Sequence, residues 1–396
     1  MKALISGGGI GGLTAALALQ QAGIEVELYE RAPELMPFGA GIQVSPNGVR
    51  VLHALGLADQ LKAFSFRPEG LEMRLGQSGR RVFMIPTRED AERRYGVPYY
   101  HMHRADMTEV LSTALRGRAP GALHMGREAV GADQDESGVT LRFADGSTAR
   151  GDVLVGADGI HSVLRSQLFG ADKARFTGCI AWRLVIPASR IKPGVIPPNG
   201  TVWVGPGRHA VTYYLRRGEL LNFVGLVEQE GWQTESWTER GDRDALAADF
   251  AGWAPPLQAV IAEADDIFRW ALFDRDPMPA WSNGRITLLG DACHPMLPFL
   301  AQGAVMAIED GWVLAASLKE GRDIPSALAA YEAKRKPRTA SVQLGARRQM
   351  GLFHKRTFVE QLTTYGPMWL AARLAPSFVN SRQDWLFSHD VTAPSA

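Results

Sequence analysis

The chain has 396 residues, 46% hydrophobic and 21% charged, which at roughly 150 residues per domain allows two to three units and a core that needs no disulfide or metal. Lys+Arg 43 against Asp+Glu 42 leaves a formal charge of +1, excluding a nucleic-acid binder that relies on a basic excess. The only cysteines, Cys179 and Cys293, form no CxxC pair and have no metal-ligand spacing, so a disulfide scaffold, a zinc site and a dithiol reductase are all excluded and a cytoplasmic location is expected.

Residues 3–6 read as a short buried strand, 14–22 as a helix stopped by Gly23, and 26–29 as a second strand. This βαβ rhythm implies a parallel sheet. Lys2 and the apolar residues after it look superficially like a signal peptide, but glycines interrupt the run, and no apolar stretch of about 18 residues exists for a membrane span. The glycines have their own logic. Gly7, Gly9 and Gly12 satisfy GxGxxG between strand and helix: the first permits a tight turn, the second lets backbone approach a pyrophosphate, the third lets the helix pack closely. Glu30 ends the next strand, where a carboxylate can accept from ribose hydroxyls, and Arg31 beside it joins the cofactor-binding candidates. The set points to a dinucleotide without separating FAD from NAD.

Further along, 49–61 reads as one amphipathic helix and 106–115 as another opened by Asp106. Strand patterns then dominate, at 139–143, 153–155, 181–186, 201–204, 211–215 and 220–227, with helical stretches only near 243–250 and 257–262. A β-rich unit is thus inserted in an α/β unit. Residues 286–289 return to a buried strand, a helix follows near 303–318, and 326–350 reads as a long helix that Pro337 should break or kink. The tail is mixed helical, with Trp369 and Trp385 expected as packing anchors. Lys334, Arg335, Lys336 and Arg338 read as a solvated face rather than a nucleic-acid patch.

Two more segments decide the cofactor. Residues 152–165 are a strand running into the turn Asp158-Gly159 and on to Arg165. Residues 290–304 follow another strand with Gly290-Asp291, His294, Pro298 and Gly303-Ala304, and continue into a helix carrying Glu309 and Asp310. With Gly39 to Asn47, His103-Arg104 and the terminal 384–390, the chain resembles the single-component (class A) FAD-dependent aromatic hydroxylases of the para-hydroxybenzoate hydroxylase fold group. It is most similar to the salicylate hydroxylase, 3-hydroxybenzoate hydroxylase and 6-hydroxynicotinate 3-monooxygenase branch. The resemblance implies a Rossmann-like FAD-binding domain of glutathione-reductase type (1–72, 100–175 and 280–345), interleaved with a β-sheet substrate domain (73–99 and 176–279) and followed by a helical tail (346–396). It implies non-covalent FAD, NADH or NADPH as co-substrate, and O₂. A C4a-hydroperoxide would hydroxylate a small phenolic or hydroxypyridine acid, with loss of CO₂ in salicylate-type relatives. By the same resemblance Asp291 should bond the ribityl chain and Arg104 should contact the flavin side of the cofactor. Asp158 and Gly159, with Arg165 as an accessory charge, should serve FAD and nicotinamide binding, and Pro298 should lie beside the flavin ring. Backbone at 301–304 should face its pyrimidine edge, where the amides and dipole at the start of the Gly303 helix would stabilise negative charge.

The chemistry also needs a group that polarises or deprotonates a ring hydroxyl. On the strand around 208–216, period two puts His209, Val211 and Tyr213 on one face and Tyr214 and Arg216 on the other. His209 and Tyr213 could together bind a phenolic oxygen and relay its proton. Gln43, Arg183 and Tyr214 are further substrate candidates; Arg183 would pair a carboxylate, or else sit in a structural ion pair. The hydroxynicotinate enzymes have His at the position of Gln43, and the 3-hydroxybenzoate branch has Gln at that of Pro298. His294 reads as a packed, hydrogen-bonded histidine. Rival readings are a monooxygenase of a larger phenolic or antibiotic, a flavin redox sensor, and a nicotinamide dehydrogenase, the last opposed by Gly290-Asp291. No metal is expected, and the chain is read as a monomer or homodimer.

Overall fold

The computed structural model describes residues 1–35, 41–170, 174–229 and 239–393, so Gly39 of the sequence motif lies outside the described residues. A six-stranded sheet runs in the order Ser282–Asn283, Ile286–Leu288, Val153–Gly156, Lys2–Ser6, Glu25–Glu30, Leu123–Met125. All its pairings are parallel except that of the edge strand Ser282–Asn283. Its middle strand is covered on both faces, with Ala3, Leu4 and Ile5 fully buried, as a parallel sheet requires. The three adjacent central strands end at Ser6, Gly156 and Leu288, immediately before the three glycine-containing motifs. The carboxyl edge of this sheet therefore gathers motifs more than 130 residues apart in sequence, at the edge where open α/β sheets bind ligands.

A seven-stranded sheet has the order Phe268–Asp274, Arg175–Pro187, Leu220–Glu228, Arg208–Leu215, Gly200–Gly205, Gly70–Leu75, Arg81–Pro86. One face packs Ile180, Trp182, Leu184, Ala210 and Phe223 against the helices Arg243–Asp249 and Pro255–Ala262. The other carries Cys179, Ala181, Val211, Val224 and Leu226, against Leu297, Phe299, Ala346 and Phe353. This second face looks toward the cofactor side. Among the described residues no helix is long and apolar enough to cross a membrane.

The α/β expectation holds, and three local readings are corrected. The segment 49–61 is two helices, Pro46–Ala54 and Ala58–Phe64, because Gly56 takes a left-handed turn (φ 74°) between them. The helix Ile324–Phe353 runs through Pro337 without a break, held on either side of the proline by Arg335 and Arg338, which both bond Glu309. Trp369 and Trp385 are 38% and 47% exposed; the tail is anchored instead by Tyr365, Leu386 and Phe387.

The basic run 334–338 is the larger correction. Arg335 is 1% exposed and Glu309 and Asp310 are fully buried. Arg335 donates to Asp310 through Nε (2.7 Å) and to Glu309 through Nη1 (2.6 Å), and Arg338 grips both Glu309 oxygens at 2.8 Å. Glu309 also accepts from Asn47 (2.6 Å), while Asp310 accepts from Gly290 N–H (3.2 Å) and meets His294 Nε2 at 2.5 Å. Burial pushes the Glu309 carboxyl up, but Arg335, Arg338 and Asn47 outweigh it and hold it below the ordinary carboxylate range. Asp310 is likewise raised by burial and lowered further by His294 and Arg335. Depressed carboxylate pKa values give stability that is fully present above the unfolded value, near pH 4, and is lost as pH falls through the folded values.

Removing the cation leaves two buried carboxylates short of charge. Arg335→Met is expected to cost about 3–5 kcal/mol in urea unfolding at neutral pH, with the deficit shrinking as both carboxylates protonate in acid. A loss of less than about 1 kcal/mol at neutral pH would contradict the network.

Candidate active site

The loop Gly7–Gly12 is shaped by contacts that only hydrogen can make. A Cβ at Gly7 (φ 112°) would lie 2.3 Å from the Ala157 carbonyl oxygen, and one at Gly12 would lie 1.9 Å from that of Gly7. At Gly9 a Cβ would meet nothing within 4 Å, so this residue faces open space at the start of the helix Ile10–Gln21, which has no side-chain cap. Uncapped amides facing an open cradle are an anion site. Glu30 accepts from Gly8 N–H (2.6 Å) and Ala32 N–H (2.9 Å), which fixes its carboxylate beside the loop. Arg31 is exposed.

In the second motif Asp158 Oδ2 accepts from Val163 and Leu164 N–H at 2.9 and 3.3 Å and so caps the helix Val163–Phe169, while Oδ1 is buried with no partner among the described residues. Arg165 is a strap rather than a free charge: it is 4% exposed and donates to the carbonyls of Ile160 (2.7 Å) and Ala292 (3.2 Å), joining the second motif to the third. In the third motif Asp291 is exposed, with Oδ1 4.0 Å from the place a Cβ on Gly303 would take. Pro298 opens a single turn, Pro298–Leu300, and Ala301 follows in a left-handed conformation (φ 53°) rare for a residue with a side chain. Gln302 is buried, donating to Ser45 (3.0 Å) and accepting from Asn47 (3.2 Å). The helix Gly303–Glu320 then begins without a side-chain cap, leaving the amides at Gly303 and Ala304 for an outside acceptor. His294 is the packed histidine the sequence suggested, bound to Asp310. An open cradle, free helix amides at two sites, an uncommitted Asp291 and an orphaned Asp158 oxygen fit FAD. Gly7 to Gly12 and Glu30 would hold its adenosine and pyrophosphate end. Asp291, Gly303 and Ala304 would hold its ribityl and ring end.

Facing this edge, the seven-stranded sheet presents a polar aromatic cluster. Tyr213 is 4% exposed, its ring 4.8 Å from that of His101 and close enough to Gly41 that a Cβ there would lie 2.9 Å from the phenol oxygen. Gly41 donates to Asn222 (2.8 Å), the cross-strand partner of Tyr213. Gln43 pairs with His101 across the antiparallel strands Gly41–Val44 and Tyr100–His103, and its Oε1 accepts from Tyr99 (2.6 Å). Burial pulls His101 down to about 3, so it is neutral at physiological pH. Arg183 stacks on Trp270, 4.7 Å from guanidinium to ring centroid. It is half-buried, has no carboxylate partner among the described residues, and its Nε is buried without an acceptor. Burial pulls this guanidinium down to about 10, with Tyr213 opposing and the like charge of Arg104 adding to the fall. Burial in turn pushes the Tyr213 phenol up against the pull of Arg183 and Arg104. Arg104, exposed at the first position of the helix Arg104–Arg118, thus acts on the same spot. Tyr214 does not join it; the side chain lies on the opposite face, donating to the Ile196 carbonyl (3.2 Å) beside Phe66.

His209 shares the face of Tyr213 but not its contacts. Four residues of strand put the two Cα atoms about 13 Å apart, so they mark two ends of one face. His209 is 1% exposed, packed on Phe299 and Phe353, and its Nδ1 lies 2.7 Å from His354 Nε2. His354 Nδ1 lies 2.8 Å from Glu228, which Arg356 also grips. Burial lowers His209, with His354 adding to the fall, and burial lowers His354 against the pull of Glu228, so both rings are neutral. With Glu228 accepting from Nδ1–H of His354, Nε2 of that ring must accept from Nδ1–H of His209. The chain of bonds leaves His209 Nε2 as a bare lone pair, the form a base requires, with an exit for its proton through His354 to Glu228. Tyr99, His101, His354 and Glu228 were not found from the sequence. Alternation of Tyr99, His101 and His103 ahead of Arg104 was a usable signal for the first two; nothing local links His209 to a residue 145 positions away.

A family model described as an FAD binding domain matches residues 1–344. The chain is 41% identical to the 3-amino-4-hydroxybenzoate 2-monooxygenase PtmB3 of Streptomyces platensis over 88% of both chains. It is 35% identical to a 6-hydroxynicotinate 3-monooxygenase of Bordetella bronchiseptica, over 98% of this chain and 95% of that one. Among solved structures, Klebsiella pneumoniae HpxO complexed with FAD and uric acid superposes with a TM-score of 0.86 at 32% identity, covering 98% of this chain and 97% of that one.

Two substitutions separate the halves of this site. Asp291→Ala is expected to weaken FAD binding about tenfold to a hundredfold, the worth of one charge-assisted hydrogen bond, in a titration of apoprotein. His354→Ala, in contrast, should leave FAD affinity unchanged and lower turnover about 10²-fold or more, if His209 needs its tautomer held. Unchanged FAD affinity in the first would remove Asp291 from the cofactor site; wild-type turnover in the second would make the histidine chain plain packing.

Proposed function

Because the chain belongs to the FAD-binding-domain family and is an FAD-dependent aromatic monooxygenase, we propose that its substrate is a small hydroxylated ring acid taken as its carboxylate. Bound FAD, reduced by NADH or NADPH, supplies the activated oxygen. The chain's own residues do the rest: they bind the anion, orient the ring, keep water out and accept the hydroxyl proton. The observation that carries this reading is Arg183, whose half-buried guanidinium has no carboxylate partner among the described residues. A buried cation without a counter-ion is costly, and a ligand carboxylate offers the planar fork that guanidinium bonds best. Arg104 adds a second positive charge at the same spot. Tyr213, His101 and Tyr99 give the ring aromatic walls, and Gln43, committed to Tyr99, orients without exchanging protons. His209 is the base of this proposal, with Pro298 beside the ring as the flavin's near neighbour. The division into an FAD-binding unit at 1–72, 100–175 and 280–345, a substrate sheet at 73–99 and 176–279, and a helical tail from 346 belongs to the same proposal.

A panel of hydroxybenzoates, aminohydroxybenzoates and hydroxynicotinates, with the matching phenols lacking the carboxylate, tests it by following nicotinamide oxidation and hydroxylated product together. Acids should be hydroxylated and the bare phenols should not. Arg183→Met should raise KM for the accepted acid about tenfold to a hundredfold with FAD retained. Equal use of acid and phenol, with KM unmoved by Arg183→Met, would overturn the carboxylate assignment while leaving the monooxygenase intact.

A further inference from the structure

The hairpin that carries His209 and Tyr213 closes through a turn of unusual backbone. The strand Arg208–Leu215 ends, Arg216 (φ 45°), Arg217 (φ 56°) and Gly218 (φ 102°) follow in the left-handed region, and the strand Leu220–Glu228 begins. Glycine and asparagine are the residues such a run favours; an arginine there sets its Cβ against the following carbonyl at a cost in stability. Among the described residues only Ala301, at the flavin edge, shares this conformation without being glycine. Backbone of this kind persists where surrounding contacts over-determine it. Here those contacts come from outside the sheet. Arg216 grips Asp106 with a fork, Nε to Oδ2 at 2.9 Å and Nη2 to Oδ1 at 2.8 Å, and Arg217 donates from Nε to the Ala63 carbonyl at 2.8 Å. Phe66 packs beside Gly218, where a Cβ would come 3.7 Å from its ring.

Both anchors belong to the cofactor side. The helix Arg104–Arg118, which carries Asp106 in its first turn, packs on the helix Ile10–Gln21 that follows the glycine loop, and the helix Ala58–Phe64 packs on it in turn. Asp106 is buried, and among the described residues Arg216 is its one hydrogen-bonded side-chain partner, while the Arg216 side chain is 43% exposed. A half-exposed arginine held in a costly conformation adds little stability through one ion pair; what the pair fixes is position. Asp106 lies two residues beyond Arg104, and Arg216 lies three residues, about 10 Å of strand, beyond Tyr213. Arg104 and Tyr213 are the two groups that act together on Arg183. We propose that Asp106 and Arg216 are positioning residues for hydroxylation: the pair fixes the distance between the strand that holds the ring and the helix layer that holds the flavin. They act through Tyr213 and Arg104. The inference rests on the reading that the face of His209 and Tyr213 lines the substrate pocket.

A ring held too far from the flavin is not hydroxylated. The two electrons of the nicotinamide then pass to O₂ alone, and hydrogen peroxide is released in place of hydroxylated product and water. Asp106→Asn keeps the shape of the side chain and removes its charge. Combined with Arg216→Gly it also relieves the left-handed strain and leaves no buried charge unpaired. Both the single Asp106→Asn and the double protein should therefore fold, carry wild-type flavin and unfold near the wild-type temperature. With the ring substrate that the wild type accepts, hydroxylation in the double variant should slow about tenfold or more, the cost of a misplacement on the order of 1 Å. KM should stay within about threefold of wild type because Arg183 is untouched. Product per nicotinamide oxidised should fall in both variants, with hydrogen peroxide making up the difference. The losses of Asp106→Asn and Arg216→Gly should not multiply in the double variant, because the two residues act as one pair. Wild-type product per nicotinamide in the double variant, losses that multiply, or flavin lost in step with product would each overturn the proposal. The measurement uses whichever ring is hydroxylated, so failure of the carboxylate assignment at Arg183 would leave it standing.

Discussion

Two carboxylates on one helical turn, Glu309 and Asp310, are buried with Arg335 between them, and the geometry of the cofactor edge depends on that triad. Asp310 holds the Gly290 amide and His294, and with them the turn that carries Asp291. Glu309 holds Asn47, which in turn holds Gln302 just before the helix whose first amides are free. Arg338 closes the other side of Glu309 and bridges to the Trp385 and Leu386 carbonyls in the tail. A buried ion pair gives little net stability over apolar packing, but it is directional, and breaking it is expensive. Here the direction is used: segments near residues 47, 290, 302, 335 and 386 are fixed to one point.

The substrate side is built on the opposite principle. Around the ring pocket polar groups are left short of partners. Among the described residues Arg183 has an orphaned Nε and no carboxylate, and along the adjoining cofactor edge Asp158 has an orphaned oxygen and Ala301 is held in a left-handed conformation. Such groups are costly in a closed interior, and they persist where a ligand completes them. The same contrast separates the two buried histidine systems. His294 is locked to Asp310 as a structural element, whereas His209 lies at the inner end of a chain running through His354 to Glu228, whose side chain is a quarter exposed. The second gives a proton a bonded path toward the surface.

How far the sequence could be read follows from the range of each interaction. The GxGxxG loop, Glu30 and the turns at Asp158 and Gly290 were legible because each is set by contacts within a strand–turn–helix unit, and period two correctly put His209, Val211 and Tyr213 on one face. The basic run 334–338 was misread because composition sees four cations and not the two carboxylates 25 residues earlier that draw Arg335 inside. Pro337 does not break its helix for the same reason, since tertiary bonds from Arg335 and Arg338 hold both sides of it. His209 and Tyr213 share a face, yet they lie at opposite ends of it with separate partners, which alternation alone cannot reveal. His354 and Tyr99 entered only through long-range packing.

The claim that the buried triad places the flavin edge is tested most directly by titrating apoprotein with FAD in the Asp310→Asn variant. Asp310 is fully buried behind the Gly290 turn and the substitution preserves its shape while removing its charge. FAD affinity should fall about tenfold or more, with cooperative unfolding and secondary structure retained, because an amide offers a single uncharged acceptor where the carboxylate serves Arg335 with one oxygen and the Gly290 amide and His294 with the other. Wild-type affinity for FAD in a folded Asp310→Asn protein would contradict the account, leaving the triad as core packing with no hold on the site.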